Sequence, residues 1–289
     1  MIRRFFLLVL CAWGCSSQPI FGAIGAADGS LYAVGWLGST LSSGDGGTTW
    51  QDESNPTEES LYAITQDLDG TRYAAGEKGI LLWAAPNQKW DYAPTPNLKA
   101  SLMGVFADNR GVFAVGELGT ILYSKDRGRT WKTKNVGKSW LRDIKGDAQG
   151  LYAVGLLGAF LCSFDAGETW LEAKTNTTEG LNGVWGDGQG NLYAVGTAGI
   201  ILKTSDRCQT FQKVTSGTDV ALQEIVGKTP TELYAVGARG VILRSVDQGQ
   251  SWLSLESKTQ QELYAITQHN GEWLAFGANR TTATIATLP

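Results

Sequence analysis

Five aspartates sit in nearly the same octet: SGDGGTTW from Ser43, SKDRGRTW from Ser124, SFDAGETW from Ser163, TSDRCQTF from Thr204 and SVDQGQSW from Ser245. A carboxylate with one hydroxyl two residues before it and another four residues after it is equipped to move a proton. Two such carboxylates facing one another could hydrolyse a glycosidic bond. A catalytic aspartate is singular, however, and Asp45, Asp126, Asp165, Asp206 and Asp247 are equivalents. The repetition favours a structural task for each. The aspartate and serine oxygens accept from backbone N–H groups of a tight turn, the glycine takes a left-handed conformation, and the closing tryptophan packs inward.

Other residues offer less chemistry. Glu77 and Glu117 occupy equivalent turns of adjacent repeats and could share a face, although exposed hairpin tips are ordinarily just solvated. The single histidine, His269, excludes a multi-histidine metal site and is expected as a polar turn residue in QHNGE. The G-x-x-G segments lack the strand-to-helix context of a phosphate loop. Neither a metal nor a cofactor is expected. The chain carries 24 Lys plus Arg against 28 Asp plus Glu, a formal charge of −4. Removing Arg3 and Arg4 with a leader leaves 22 against 28, or −6. With no basic stripe to neutralise phosphates, nucleic acid is not an expected partner.

The elements that must position these residues come from a repeat. LYAVG or a close relative recurs at Leu31, Arg72, Val112, Leu151, Leu192, Leu233 and Trp273. Its glycine falls at Gly35, Gly76, Gly116, Gly155, Gly196, Gly237 and Gly277, at intervals of 41, 40, 39, 41, 41 and 40. An apolar stretch such as LMGVFAD precedes each copy; a G-x-x-G turn, ILxS, the aspartate turn and a polar stretch follow. That is four short strands, A to D, in about 40 residues. LYAVG is apolar at successive positions, as a sheet buried on both faces requires, and no space remains between strands for a helix. The 37 glycines and 11 tryptophans fit many short strands and tight turns. The sequence therefore predicts an all-β, seven-bladed β-propeller of four-stranded antiparallel blades over residues 16–289. The blades lie near 20–60, 61–101, 102–140, 141–180, 181–221, 222–262 and 263–289. The last lacks an outer strand, which the residues between Cys15 and Ile20 are expected to supply.

The octet S-x-D-x-G-x-T-W is identified as the Asp-box, or BNR repeat. It is weakened in TSDRCQTF and missing from blade 2 (WAAPNQKW) and blade 7. Across almost the whole mature chain, VGxxGxILxSxDxGxTW resembles the photosystem II stability and assembly factor family of Asp-box propellers, some of them thylakoid-associated lipoproteins. The resemblance implies a seven-bladed propeller that acts, without enzymatic activity, as a protein-binding assembly factor. It does not imply photosynthesis, because similar repeats are widespread in exported bacterial proteins. The photosynthetic members share an arginine-rich surface patch, which this chain, with 11 arginines and an acidic balance, does not reproduce. Asp-boxes also occur in sialidases and propeller glycanases. Sialidases open with an Arg-Ile-Pro type motif and need three arginines, a tyrosine and a glutamate; no such set stands here. A glycan-binding or glycoside-hydrolysing propeller is the runner-up.

The N-terminus MIRRFFLLVLCAWGC combines two arginines with an apolar run from Phe5 to Ala12, too short to span a bilayer and typical of an export signal over residues 1–15. Ala12-Trp13-Gly14-Cys15 resembles a bacterial lipobox, departing from it at Ala12 and Trp13. The expectation is a lipoprotein anchored through Cys15 in the cell envelope, or otherwise a secreted protein. Cys162 and Cys208 stand at different points of successive repeats and are expected as free thiols.

In this topology the B–C turns and D–A connections share one face, and the Asp-box turns lie on the other. The B–C tips vary: Trp36-Leu37, Glu77-Lys78, Glu117-Leu118, Leu156-Leu157, Thr197-Ala198, Ala238-Arg239 and Ala278-Asn279. Two tips carry large apolar pairs, and Trp140 precedes strand A of blade 4. Such residues either form a protein-interaction surface or fold inward to plug the central channel. The expected partner site is Trp36, Leu37, Trp140, Leu156 and Leu157, with Arg142 and Arg239 as charged neighbours. The expected protein is a monomeric exported scaffold with a protein partner, or, in the runner-up reading, a glycan.

Overall fold

The register of LYAVG shows why the motif recurs. In a computed structural model that describes residues 18–26 and 28–285, Leu151–Gly155 pairs antiparallel with Leu141–Gly146 on one side and Phe160–Ser163 on the other, and Leu171–Glu172 completes the meander. Alternate residues face opposite neighbours. Tyr152 and Val154 pack with Leu181, Val184 and Leu192 of the next blade, while Leu151 and Ala153 pack with Phe113, Val115 and Ile121 of the preceding one. Every position is apolar because both faces of the sheet are covered.

Seven such sheets form the β-propeller, each a sequential A-B-C-D meander; blade 7 shows three strands among the described residues, Leu263–His269, Glu272–Gly277 and Thr282–Ile285. The core is a set of wedges between neighbouring blades instead of one centre. One wedge joins Ala265, Leu274 and Phe276 of blade 7 to Ile20, Leu31, Ala33 and Leu41 of blade 1, and so closes the ring. At that seam the Gly25 N–H donates to Thr267 Oγ1 (3.0 Å), Thr282 Oγ1 donates to the Gly47 carbonyl (3.2 Å), and Trp50 meets Phe276 edge-on at 5.7 Å. Gln18 and Pro19 do not lie along blade 7. They lead into Ile20–Gly25, the innermost strand of blade 1, and the Pro19 carbonyl accepts from the Trp36 N–H (3.3 Å). Residues 15–17, with the anchor expected at Cys15, lie outside the described residues. His269, expected in a solvated turn, instead closes strand A of blade 7 and is buried beside Gly46 at the same seam.

The glycine that ends LYAVG has an extended backbone, so its requirement is steric. A Cβ on Gly155 would lie 2.0 Å from the Trp140 carbonyl, and one on Gly196 1.9 Å from the Gly180 carbonyl. Strand A of each blade starts where strand B has no side chain.

In the Asp-box turns, Ser163 Oγ accepts from the Gly167 N–H and donates to Asp165 Oδ1 (both 2.8 Å), while Asp165 accepts from the Thr169 N–H (2.9 Å) and hydroxyl. Asp45, Asp126 and Asp247 repeat the arrangement, and Asp206 makes the same carboxylate bonds with Thr204 and Thr210. These bonds favour the ionised carboxyl. The Thr169 hydroxyl and amide hold Asp165 at about 2, and Thr49, Thr130 and Thr210 do the same for Asp45, Asp126 and Asp206. Burial opposes the shift at Asp247, but the bonds from Ser251 still bring it to about 2. A carboxylate depressed in the fold stabilises above its unfolded pKa, near 4, and loses that contribution as pH falls through the folded value. All five turns are therefore expected to weaken between about pH 4 and about pH 2. Asp165→Asn should cost stability at pH 7 and little at pH 2 in denaturant titrations; an equal loss at both would contradict this origin.

Blades 5 and 2 replace a repeat residue with one that contacts the preceding blade. The box glycine has a positive φ (84° at Gly167) and lies against an aromatic ring of the preceding blade: a Cβ would come 2.7 Å from Phe113 at Gly167 and 2.6 Å from Tyr193 at Gly249. In blade 5 Cys208 takes this place, at φ 67°, and is disulfide-bonded to Cys162 on strand C of blade 4, with a Cα–Cα distance of 6.8 Å. The expectation of two free thiols is thus corrected. The box turn reaches across to the preceding blade at its glycine, so a side chain there meets blade 4, an approach that counting positions along the repeat does not show. In blade 2, which has no box, Arg72 begins strand B where most copies have leucine. Its guanidinium lies over Tyr32 (3.9 Å) and Trp90 (4.9 Å), and Nη1 donates to both oxygens of Glu53 (3.1 and 2.9 Å). Glu53 also accepts from Trp90 Nε1 (2.7 Å), which ties blade 2 to the end of blade 1.

Candidate functional site

The B–C turns are single three-residue turns whose second residue is left-handed: φ is 50° at Leu37, 56° at Leu118, 56° at Leu157 and 56° at Arg239. Glycine or asparagine suits such a position; a leucine there costs on the order of 1 kcal/mol. The three leucines are nonetheless 57%, 61% and 72% exposed, so they do not fold inward over the channel. Strained and wet at once, they gain nothing for the fold. Trp36 and Trp140 are each 42% exposed, Leu156 is half-buried and Arg239 is exposed.

The geometry divides the sequence-predicted set in two. The Leu156 N–H bonds to the Trp140 carbonyl (2.9 Å), which brings Trp140, Leu156 and Leu157 together on blade 4. Trp36 and Leu37 lie on blade 1, three blades away around the ring. Leu118 on blade 3 belongs to the same exposed class and was not among the predicted residues; its signal was its place as second residue of a tip.

Between the tips lies a feature that spacing alone did not reveal. In blade 4 Leu141 pairs with Gly155 and Asp143 with Val154, leaving Arg142 as the extra residue of a β-bulge. The same bulge recurs in all seven blades. A bulge re-aims a side chain. Here the bulged residues Phe21, Tyr62, Met103, Arg142, Asn182, Gln223 and Tyr264 line a central cavity of about 490 Å³ near its B–C end. The readable signal was a varied residue directly after the leucine or isoleucine that opens strand A in every copy.

The ring has two halves. On one side Phe21 meets Tyr264 edge-on (5.3 Å) and lies tilted against Tyr62 (5.8 Å). The Tyr62 hydroxyl donates to Glu77 (2.8 Å) and that of Tyr264 to Glu262 (3.0 Å); burial and these carboxylates push both phenols up. Glu77 is thereby tied to the ring. On the other side Arg142 Nη1 donates to Asn182 Oδ1, Asn182 Nδ2 to the Leu222 carbonyl (2.8 Å), and Gln223 Nε2 to Glu262 (2.8 Å). Burial lowers the Arg142 pKa.

Deeper in the channel Lys145 lies 3.7 Å from Asp143 and 3.5 Å from Glu224. Although burial pulls its ammonium pKa down, the two carboxylates more than offset this and raise it. Asp143 Oδ2 also accepts from the Val184 N–H (3.0 Å) and Glu224 Oε2 from the Ile266 N–H (2.7 Å), so each carboxylate joins its blade to the next. Burial raises the Glu224 carboxyl.

No protein-family model and no curated protein matches the chain. Among solved structures it is similar to YCF48 bound to D1 peptide, with 20% identity and a TM-score of 0.76 over 94% of this chain and 95% of that one. YCF48 from Cyanidioschyzon merolae follows at 16% identity and 0.76, over 94% and 97%. The WD40 β-propeller domain of Doa1 reaches 0.76 at 11% identity, over 96% and 95%. The chain has the seven-bladed propeller fold that these proteins share.

Proposed function

We propose that this protein is a non-enzymatic scaffold that binds a segment of a partner protein across its B–C face, over the mouth of the channel. The observation that carries the reading is the set of leucines at left-handed turn positions, Leu37, Leu118 and Leu157, kept exposed where the fold would be better served by polar residues. The fold relative captured with a D1 peptide supports a peptide-binding role for such a propeller. We further propose that the chain is exported, anchored through Cys15, and acts in assembly of a membrane or envelope complex. The Cys162–Cys208 bond supports export, since structural disulfides persist in oxidising compartments.

The test is capture by crosslinking in the native membrane. Trp36→Ala combined with Leu157→Ala should leave the thermal midpoint within about 2 °C and reduce partner capture roughly tenfold or more. Unchanged capture by the folded double variant would overturn the assignment of this face. Replacing Cys15 should release the chain from the membrane fraction.

A further inference from the structure

The mouth of the channel contains a cation whose counter-charge the fold does not supply. Arg72, Arg110, Arg127, Arg244 and Arg280 each pair with a carboxylate, and Arg207 stacks on Phe164. Arg142 is drawn into the channel lining, yet it makes no ion pair among the described residues. The carboxylates that line the same cavity, Asp143 and Glu224, are already engaged. Asp143 accepts from the Ile144 and Val184 amides, and Glu224 from the Ile266 amide, with Lys145 between them.

The guanidinium is also held in place. Asn182, itself buried and fixed by the Leu222 carbonyl, takes Arg142 Nη1; Nε and Nη2 make no hydrogen bond among the described residues. A planar fork with one edge free is the geometry that receives a carboxylate with two parallel bonds. Its desolvation, seen in the lowered pKa, strengthens such a pair. Across the mouth the Tyr264–Phe21–Tyr62 arc offers an apolar wall.

We propose that Arg142 is a carboxylate receptor at the channel mouth, taking a carboxylate of the bound protein segment while the Tyr264–Phe21–Tyr62 arc takes an apolar side chain beside it. This rests on the reading that the B–C face binds a protein. The carboxylate comes either from an acidic side chain or from a chain terminus, and the two are separable with three probes: acetyl-Gly-Ser-Phe-Leu as the free acid, the same peptide as its amide, and acetyl-Gly-Asp-Phe-Leu amide. Each is titrated calorimetrically into the full chain, into Arg142→Gln and Arg142→Lys, and into Arg129→Gln, an exposed arginine of the Asp-box face, as a control.

At least one acidic probe is expected to bind roughly tenfold or more tightly than the neutral amide, to lose that advantage in Arg142→Gln, and to keep part of it in Arg142→Lys. Arg129→Gln should leave it unchanged. Preference for the free acid assigns a chain terminus, and preference for the aspartyl amide an acidic side chain. Equal affinity of acidic and neutral probes, no saturable binding of either acidic probe at millimolar concentration, or full retention of the advantage in Arg142→Gln overturns the receptor. If Arg142→Gln does not fold, Arg142→Lys decides. The two readings fail separately. Partner capture lost in the Trp36→Ala, Leu157→Ala variant but untouched in Arg142→Gln sinks the receptor alone, whereas capture untouched in the double variant sinks the face while the peptide comparison still stands.

Discussion

Removing the Cys162–Cys208 bond is expected to lower stability by about 4 kcal/mol at 25 °C. The bond closes a loop with a sequence separation of 46 residues, and the chain entropy returned to the unfolded state when such a loop opens corresponds to about that figure. Both sulfurs lie in the wedge between blades 4 and 5 with Tyr152 and Phe160, so the loss falls on one interface of a ring that every interface helps to close. Two variants separate the contributions. Cys162→Ala removes the bond and leaves Cys208 at φ 67°, whereas Cys208→Gly removes it and restores the residue that the other boxes use, so Cys208→Gly should be the milder by about 1 kcal/mol. The measurement is urea unfolding with and without reductant. A wild-type midpoint indifferent to reductant, or a Cys208→Gly variant still sensitive to it, would contradict the account.

Glu53→Ala is expected to cost about 3 kcal/mol, whereas Arg72→Leu should cost about 1 kcal/mol or less. The asymmetry follows from burial. The Arg72 side chain is 7% exposed and that of Glu53 23%. Losing Glu53 strands a desolvated cation between Tyr32 and Trp90 and leaves Trp90 Nε1 without its acceptor. Arg72→Leu installs the leucine found in most other blades and lets Glu53 turn toward water. The double variant should accordingly be more stable than Glu53→Ala alone, which a double-mutant cycle in urea measures directly. Equal costs for the two single changes would show that the pair is not organised around the buried arginine.

Much of the molecule was legible before any coordinates. Seven glycines at intervals of 39 to 41 residues fix the number of blades, and the contiguous apolar LYAVG announces a sheet covered on both faces. Such features depend on local backbone geometry and on a repeating environment, and repetition makes them readable. The functional face was only partly legible. Leu37 and Leu157 stand out because tight turns are ordinarily polar, whereas Leu118 is masked by the charged Glu117 beside it, and the bulged ring is hidden because several positions of strand A vary and only the pairing with strand B distinguishes the bulged one.

The sequence by itself determined the propeller, its strand order and the turn-holding task of Asp45, Asp126, Asp165, Asp206 and Asp247, because each of these is settled within about 40 residues of chain. Tertiary structure alone decided what happens where blades meet. It joined Cys162 to Cys208, buried His269 at the closing seam, set Arg72 against Glu53, and turned Arg142 and Phe21 into the same channel from opposite sides. Those pairings depend on the angle at which one sheet leans on the next, and that angle is a property of the closed ring that no single repeat carries.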